Sequence, residues 1–307
     1  MDAGGAGDSP FAGDAAQQRG DGGEVNGPSL DLGAALRTHS SVLGGDGEGR
    51  ERAWVASEGR RIPERPPQLL RFDRHSGELE LAMPMPAEWQ PAPGQGLDSN
   101  RGPESLTLLL RQGKPAVLLM AAESALLQDP PGQVRVLGWT LGSSMESPAG
   151  DPKPQQPLRL PQGDGWGLTD LLAQPETSNE APLLGLQRRF QSPDQWSNRL
   201  VLYPFPKPIT SGANPAVLSP LMSWDLKAIG LSPDNWEAIT PGPPLEDGRP
   251  TLLLAADDNF SPLQDNHLVQ LAPRRILPLR VAVNLLIQLP QESVMVVAAV
   301  WGLSMAE

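Results

Sequence analysis

"PESLTLLLRQGKPAVLLMAAES" (Pro103 to Ser124) and "WEAITPGPPLEDGRPTLLLAADDN" (Trp236 to Asn259) share one layout, and that layout decides the fold. Each opens on a proline or an aromatic residue, then Glu, a small residue and an aliphatic one. Each passes through a glycine-containing turn into an apolar strand of about six residues. Each strand closes on small residues followed by acid: Ala121-Ala122-Glu123 in one, Ala255-Ala256-Asp257-Asp258 in the other. "WVASEG" (Trp54 to Gly59) closes the same way, on Ser57-Glu58. "LTDLLAQ" and "APLLGLQRR" (Leu168 to Arg189) repeat the layout with Asp170 first and Gln187 in the acid's place. The copies lie about 65 residues apart, which is the mark of a repeated supersecondary unit.

Further apolar runs lie between these copies and are punctuated by turn residues. They are Gln68–Phe72, Glu78–Met83, Val134–Leu141, Arg199–Tyr203 and His267–Leu271, and the first copy's own strand is Ala53–Ser57. Asp73 to Gly77 reads as a hairpin turn joining two of them. No helical period interrupts the series. The chain holds 32 Gly and 35 Pro in 307 residues, so connections are many and strands short. The pattern predicts an all-β fold, β-propeller-like and incomplete, with about four blades, the first lacking its opening strand. Residues 1–50 hold 13 of the glycines and no sustained period, and are expected to be a disordered head. The propeller is expected over 53–273, with 274–307 as a C-terminal extension of unassigned structure.

Composition narrows the chemistry. A net charge of −12 repels phosphate backbones and argues against nucleic acid as a partner. With no cysteine, disulfides, zinc–thiolate sites and thiol catalysis are excluded. No G-x-S-x-G occurs, so the nucleophile elbow of an α/β-hydrolase is absent. No signal peptide is visible at the first residues. "VMVVAAVWGL" (Val294 to Leu303) is too short for a helix to cross a bilayer, which takes about 20 residues.

"NWEAITPGPPLEDGRPTLLLAADDNFSPLQDNHLVQL" (Asn235 to Leu271) resembles the closing segment of the esterase-like activity of phytase family. The matching features are Asn235 to Ala238, the turn Asp247-Gly248-Arg249, Asp257 to Phe260, and Gln264. "WVASEGR", "DSNRGPESLTLLLRQGKPAVLLMAAESAL" and "LLGLQRRF" are similar to its earlier segments. The chain departs from the family pattern in ending its middle strand Gln187-Arg188 rather than Glu-Arg. The family also carries further blades before "WVASEG", so the resemblance implies a truncated N-terminus. If the true start lies upstream, it implies a periplasmic or secreted protein of bacterial type. The resemblance further implies a propeller-like hydrolase acting on a small-molecule ester or phosphate ester.

Propeller opening strands line a central channel. The candidate metal ligands are therefore Glu58, Glu104, Glu123, Asp170, Glu237 and Asp257. Several carboxylates within about 5 Å repel one another unless a cation neutralises them, and calcium suits an oxygen-only donor set. The plainer alternative is that each acid is a solvated turn residue or accepts backbone N–H groups. The catalytic residues are not assigned by the sequence, and Glu237, Asp257 and Asp258 are the candidates. Arg188 and Arg101 are the candidate substrate-binding residues, since guanidinium forks match phosphate oxygens. His75 and His267 are expected to be structural, in a turn and at a strand start. Two rival readings remain open: a non-catalytic propeller that binds a ligand, and a degenerate fragment of the family. Oligomeric state is not legible.

Overall fold

Strand after strand in this chain is Leu- and Val-rich and bounded by Gly, Pro or Asp turns, so the backbone satisfies itself by pairing with its nearest neighbour in sequence. The computed structural model describes residues 52–99, 101–111, 114–141, 151–161, 165–174, 182–192, 195–209, 215–258, 266–273 and 294–297. The glycine-rich head, and Asn259, Phe260 and Gln264 of the closing segment, lie outside the described residues.

Four antiparallel sheets follow one another along the chain. The first is β1 (Arg52–Ser57), β2 (Gln68–Asp73) and β3 (Leu79–Pro84). The second is β4 (Pro103–Arg111), β5 (Lys114–Ala122), β6 (Gln133–Thr140) and β7 (Lys153–Arg159). The third is β8 (Trp166–Ala173), β9 (Leu183–Gln191), β10 (Gln195–Tyr203) and β11 (Met222–Asp225). The fourth is β12 (Trp236–Gly242), β13 (Thr251–Ala256), β14 (His267–Pro273) and β15 (Val294–Val297). Every described pairing joins strands consecutive in sequence, and the first sheet holds three strands where the others hold four. Every strand read from the sequence is present. β7, β11 and β15 were not read as strands. β7 carries Pro154 and Pro157, which suit an outer strand that needs ladder bonds on one side. Its free edge is covered by the connection after β10, where Gln156 N–H donates to Lys207 O and Leu218 N–H donates to Pro157 O. β15 places part of the C-terminal extension against β14. No described helix is long and apolar enough to cross a membrane.

The first strands of the sheets pack side by side: β1 against β4, β4 against β8, and β8 against β12. These strands carry buried polar side chains, and several of these hold a backbone group of the next sheet. Ser105 Oγ donates to Leu168 O and Thr169 Oγ1 to Trp236 O, while Ala173 N–H donates to Thr107 Oγ1. Buried hydroxyls so placed satisfy themselves and stitch neighbouring sheets together. Two apolar cores lie between the sheets. One contains Trp54, Trp89, Leu118, Trp139 and Leu168; the other contains Leu184, Leu200, Trp224, Trp236 and Leu254.

Candidate functional site

One structural device recurs at the start of three sheets. In β4, β8 and β12 a bulge leaves one residue out of the ladder with the second strand: Glu104, Thr169 and Glu237 respectively. The bulges align the sheets residue by residue. Pro103 faces Ala122, Leu168 faces Gln187, and Trp236 faces Ala256. The acids Glu123 and Asp257, each one residue further on, are therefore equivalent to Arg188.

This register corrects two correspondences read from the sequence. Gln187 does not take the acid's place; it matches Ala122 and Ala256, and is fully buried. Its Nε2 donates to Tyr203 Oη at 2.6 Å, and Tyr203 Oη donates to Arg159 O at 2.7 Å. Burial raises the Tyr203 hydroxyl far above its ordinary pKa. Asp170 likewise matches Ser105 and Ala238 rather than Glu104. It is 1% exposed, and its carboxylate accepts Leu171 N–H at 2.8 Å and Ile239 N–H at 2.9 Å. A slip of one residue turns a strand side chain to the other face, so neither residue reaches the site by this route.

The carboxylates at the strand starts and ends do converge. Glu58, Glu104 and Glu123 are all buried, and each offers a carboxylate oxygen within 4.8 Å of those of the other two. Glycine makes this approach possible. A Cβ at Gly102 would overlap the carbonyl of Glu58, and one at Gly167 would overlap the Glu123 carboxylate. The backbone then fixes Glu123 from both sides: its N–H donates to Gly102 O and its C=O accepts Leu168 N–H.

Arg188 extends the cluster into the next sheet. Its guanidinium lies 3.5 Å from Glu123 Oε1 and 2.6 Å from Glu237 Oε1, and also donates to Asn235 Oδ1. Asn235 Nδ2 in turn donates to Asp257 O at 3.1 Å, and Asp257 N–H donates to Asn235 O. Polar groups thus run from Glu58, Glu104 and Glu123 to Arg188, which branches to Glu237 and to Asn235, and Asn235 holds the Asp257 backbone. The three Glu side chains could hold a divalent cation, and the half-buried Asp257 ends the series on the other side of Arg188.

A family model described as Phytase-like, esterase-like activity of phytase, matches residues 45–260. The chain belongs to the phytase-like family. No curated protein and no solved structure gives a significant match. The family points to a hydrolase-type function.

The remaining candidates of this phytase-like chain lie in turns and at strand ends. Asp258 is bound to Asn266, accepting from its Nδ2 at 3.0 Å and donating N–H to its Oδ1 at 3.2 Å. Arg101 precedes Gly102 and its N–H donates to Asp98 O. His75 occupies the β2–β3 turn, where Asp73 Oδ1 accepts the N–H of His75 and of Ser76. The Ser76 and His75 N–H groups hold the Asp73 carboxyl below its usual pKa. His267 Nδ1 pairs with Asp234 Oδ2 at 2.7 Å, and its ring lies 6.3 Å from that of Trp236. The sequence reading missed the clamp role of Asn235 and the pair Phe190–Trp196. Asn235 could have been found from its place immediately before the repeated aromatic-Glu opening.

Proposed function

We propose that this protein is a hydrolase of esters or phosphate esters whose four sheets are blades of a propeller-like ring opening on the Glu58–Glu104–Glu123 cluster. The side-by-side first strands and the equivalently placed bulges support the ring. The convergence of three buried carboxylates beside Arg188 supports the site. Like charges this close and this sheltered need positive charge nearby, and Arg188 sits on one of the three.

The donor set fits calcium. Ligands on opposite sides of a calcium ion stand about 4.6–5.2 Å apart, given its 2.3–2.6 Å bonds to oxygen. Oxygens within 4.8 Å of one another meet that demand, and all three are hard donors. Glu58, Glu104 and Glu123 would hold the ion. A calcium ion held there would polarise the ester oxygen and make coordinated water a stronger acid.

The protein's own groups supply position and proton transfer. Arg188, locked by Glu123, Glu237 and Asn235, presents a fixed cationic face to a carboxylate or phosphate ester. Asp257, half-buried and held through its backbone by Asn235, is the candidate base, and its carboxylate would take a proton from attacking water. Glu237 is a positioning residue for Arg188. Asp170 acts in the sheet-to-sheet joint.

Turnover of p-nitrophenyl acetate and p-nitrophenyl phosphate with and without calcium tests this reading. Glu104→Gln should abolish the calcium dependence, and Asp257→Asn should lower kcat by about a hundredfold while calcium binding persists. Activity equal in wild type and both variants would remove these residues from the reaction.

A further inference from the structure

Only six large apolar side chains are exposed among the described residues, and Phe190, at 45%, is the single aromatic one. It does not stand alone. Phe190 lies directly opposite Trp196 across β9 and β10, with ring centroids 4.6 Å apart at 46°. Trp196 is half-exposed, whereas Trp54, Trp139, Trp166, Trp224 and Trp236 are buried. The Arg188 guanidinium carbon sits 5.8 Å from the Trp196 ring centroid. Residues 188 and 190 alternate onto one face of β9, so the two rings continue outward from the arginine that borders the acid cluster. Opposite Arg188, Asn198 is tied to Asp234 through both its amide atoms, which anchors this face of β10.

The charge around the site limits what can lie there. Glu58, Glu104, Glu123 and Glu237 bring four carboxylates to this region, and Arg188 touches two of them. One divalent cation would leave that set at −1, within a chain of net charge −12. A polyphosphorylated ring would bring several negative charges against these carboxylates in a net acidic chain. A flat apolar group meets two rings arranged for offset contact.

We propose that Phe190 and Trp196 form a stacking platform for the flat apolar part of the substrate. The substrate class that fits is an aromatic ester or phosphate monoester with a single ionised group, not a polyphosphorylated ring. This rests on the hydrolase reading for the ester and on the aromatic pair for the ring.

The test is equilibrium binding by titration calorimetry to the full chain in calcium. The ligands are 2-naphthyl phosphate, cyclohexyl phosphate and inositol hexakisphosphate. Wild type should prefer naphthyl over cyclohexyl phosphate by about tenfold, the scale of one aromatic contact. Trp196→Ala and Phe190→Ala should each erase most of that preference, and Trp196→Phe should keep it. Phe190→Ala leaves the Arg188–Trp196 contact in place, so it separates platform loss from loosening of Arg188. Equal binding of the two monoesters, tighter binding of inositol hexakisphosphate, no binding of any, or an unchanged preference in both alanine variants would overturn the proposal. Aromatic preference without turnover would sink the hydrolase reading and leave the platform standing. Turnover without aromatic preference would do the reverse.

Discussion

Replacing Arg188 by methionine tests the electrostatic design of the site most directly. The arginine side chain is 18% exposed, and its partners Glu123 and Glu237 are 7% and 9% exposed. At an effective dielectric constant near 20, unit charges 2.6 and 3.5 Å apart attract by roughly 6 and 5 kcal/mol. Most of that gross attraction is offset by the cost of taking three charged groups out of water. Removing one partner is still expensive, because it strands the others: the typical loss is about 3–5 kcal/mol. For a folded unit of about 220 residues this lowers Tm by roughly 6–20 °C. The assay is thermal unfolding in chelator, followed by circular dichroism. Two further arms make it diagnostic. Calcium should restore part of the loss in Arg188→Met by supplying positive charge beside Glu123. Glu237→Gln should be less costly in the Arg188→Met background than in wild type, a coupling of about 1–3 kcal/mol in a double-mutant cycle. A Tm change under 2 °C for Arg188→Met, or strict additivity of the pair, would refute the argument that this guanidinium neutralises the acids.

Four other outcomes follow from the same geometry. Saturating calcium should raise the wild-type Tm, by the equivalent of about 2.7 kcal/mol at a hundred times Kd, and Glu104→Gln should abolish the rise. Gly167→Ala should displace the Glu123 side chain and weaken calcium binding with modest loss of stability, whereas Gly102→Ala meets the Glu58 backbone and should cost several times more on chemical denaturation. Asp170→Ala should destabilise by about 1–3 kcal/mol for each stranded backbone N–H without altering calcium affinity, read by urea melts and calorimetry. Tyr203→Phe should cost about 1–3 kcal/mol in urea, since Gln187 Nε2 and Arg159 O both lose their partner inside the core.

What the sequence determined by itself was most of the strands and the repetition of about four units. Those depend on short-range features: aliphatic runs, Gly and Asp turns, and the recurring strand that ends on small residues and acid. The weak strands escaped because their cause is not local. β7 exists because an edge was available beside β6, and the segment around Leu218 closes over it. The tertiary structure alone decided which acids meet. Asp170 looks like a partner for Glu104 and Glu237 by spacing, and Gln187 looks like a lost acid. The bulges at Glu104, Thr169 and Glu237 shift the register by one residue, which sends Asp170 into the joint with β12 and brings Arg188 to Glu123 and Glu237. A carboxylate's neighbours depend on side-chain face and on sheet-to-sheet packing. Neither is encoded in the spacing along one strand, so the same residue types give a buried backbone clamp at 170 and a candidate ligand at 104.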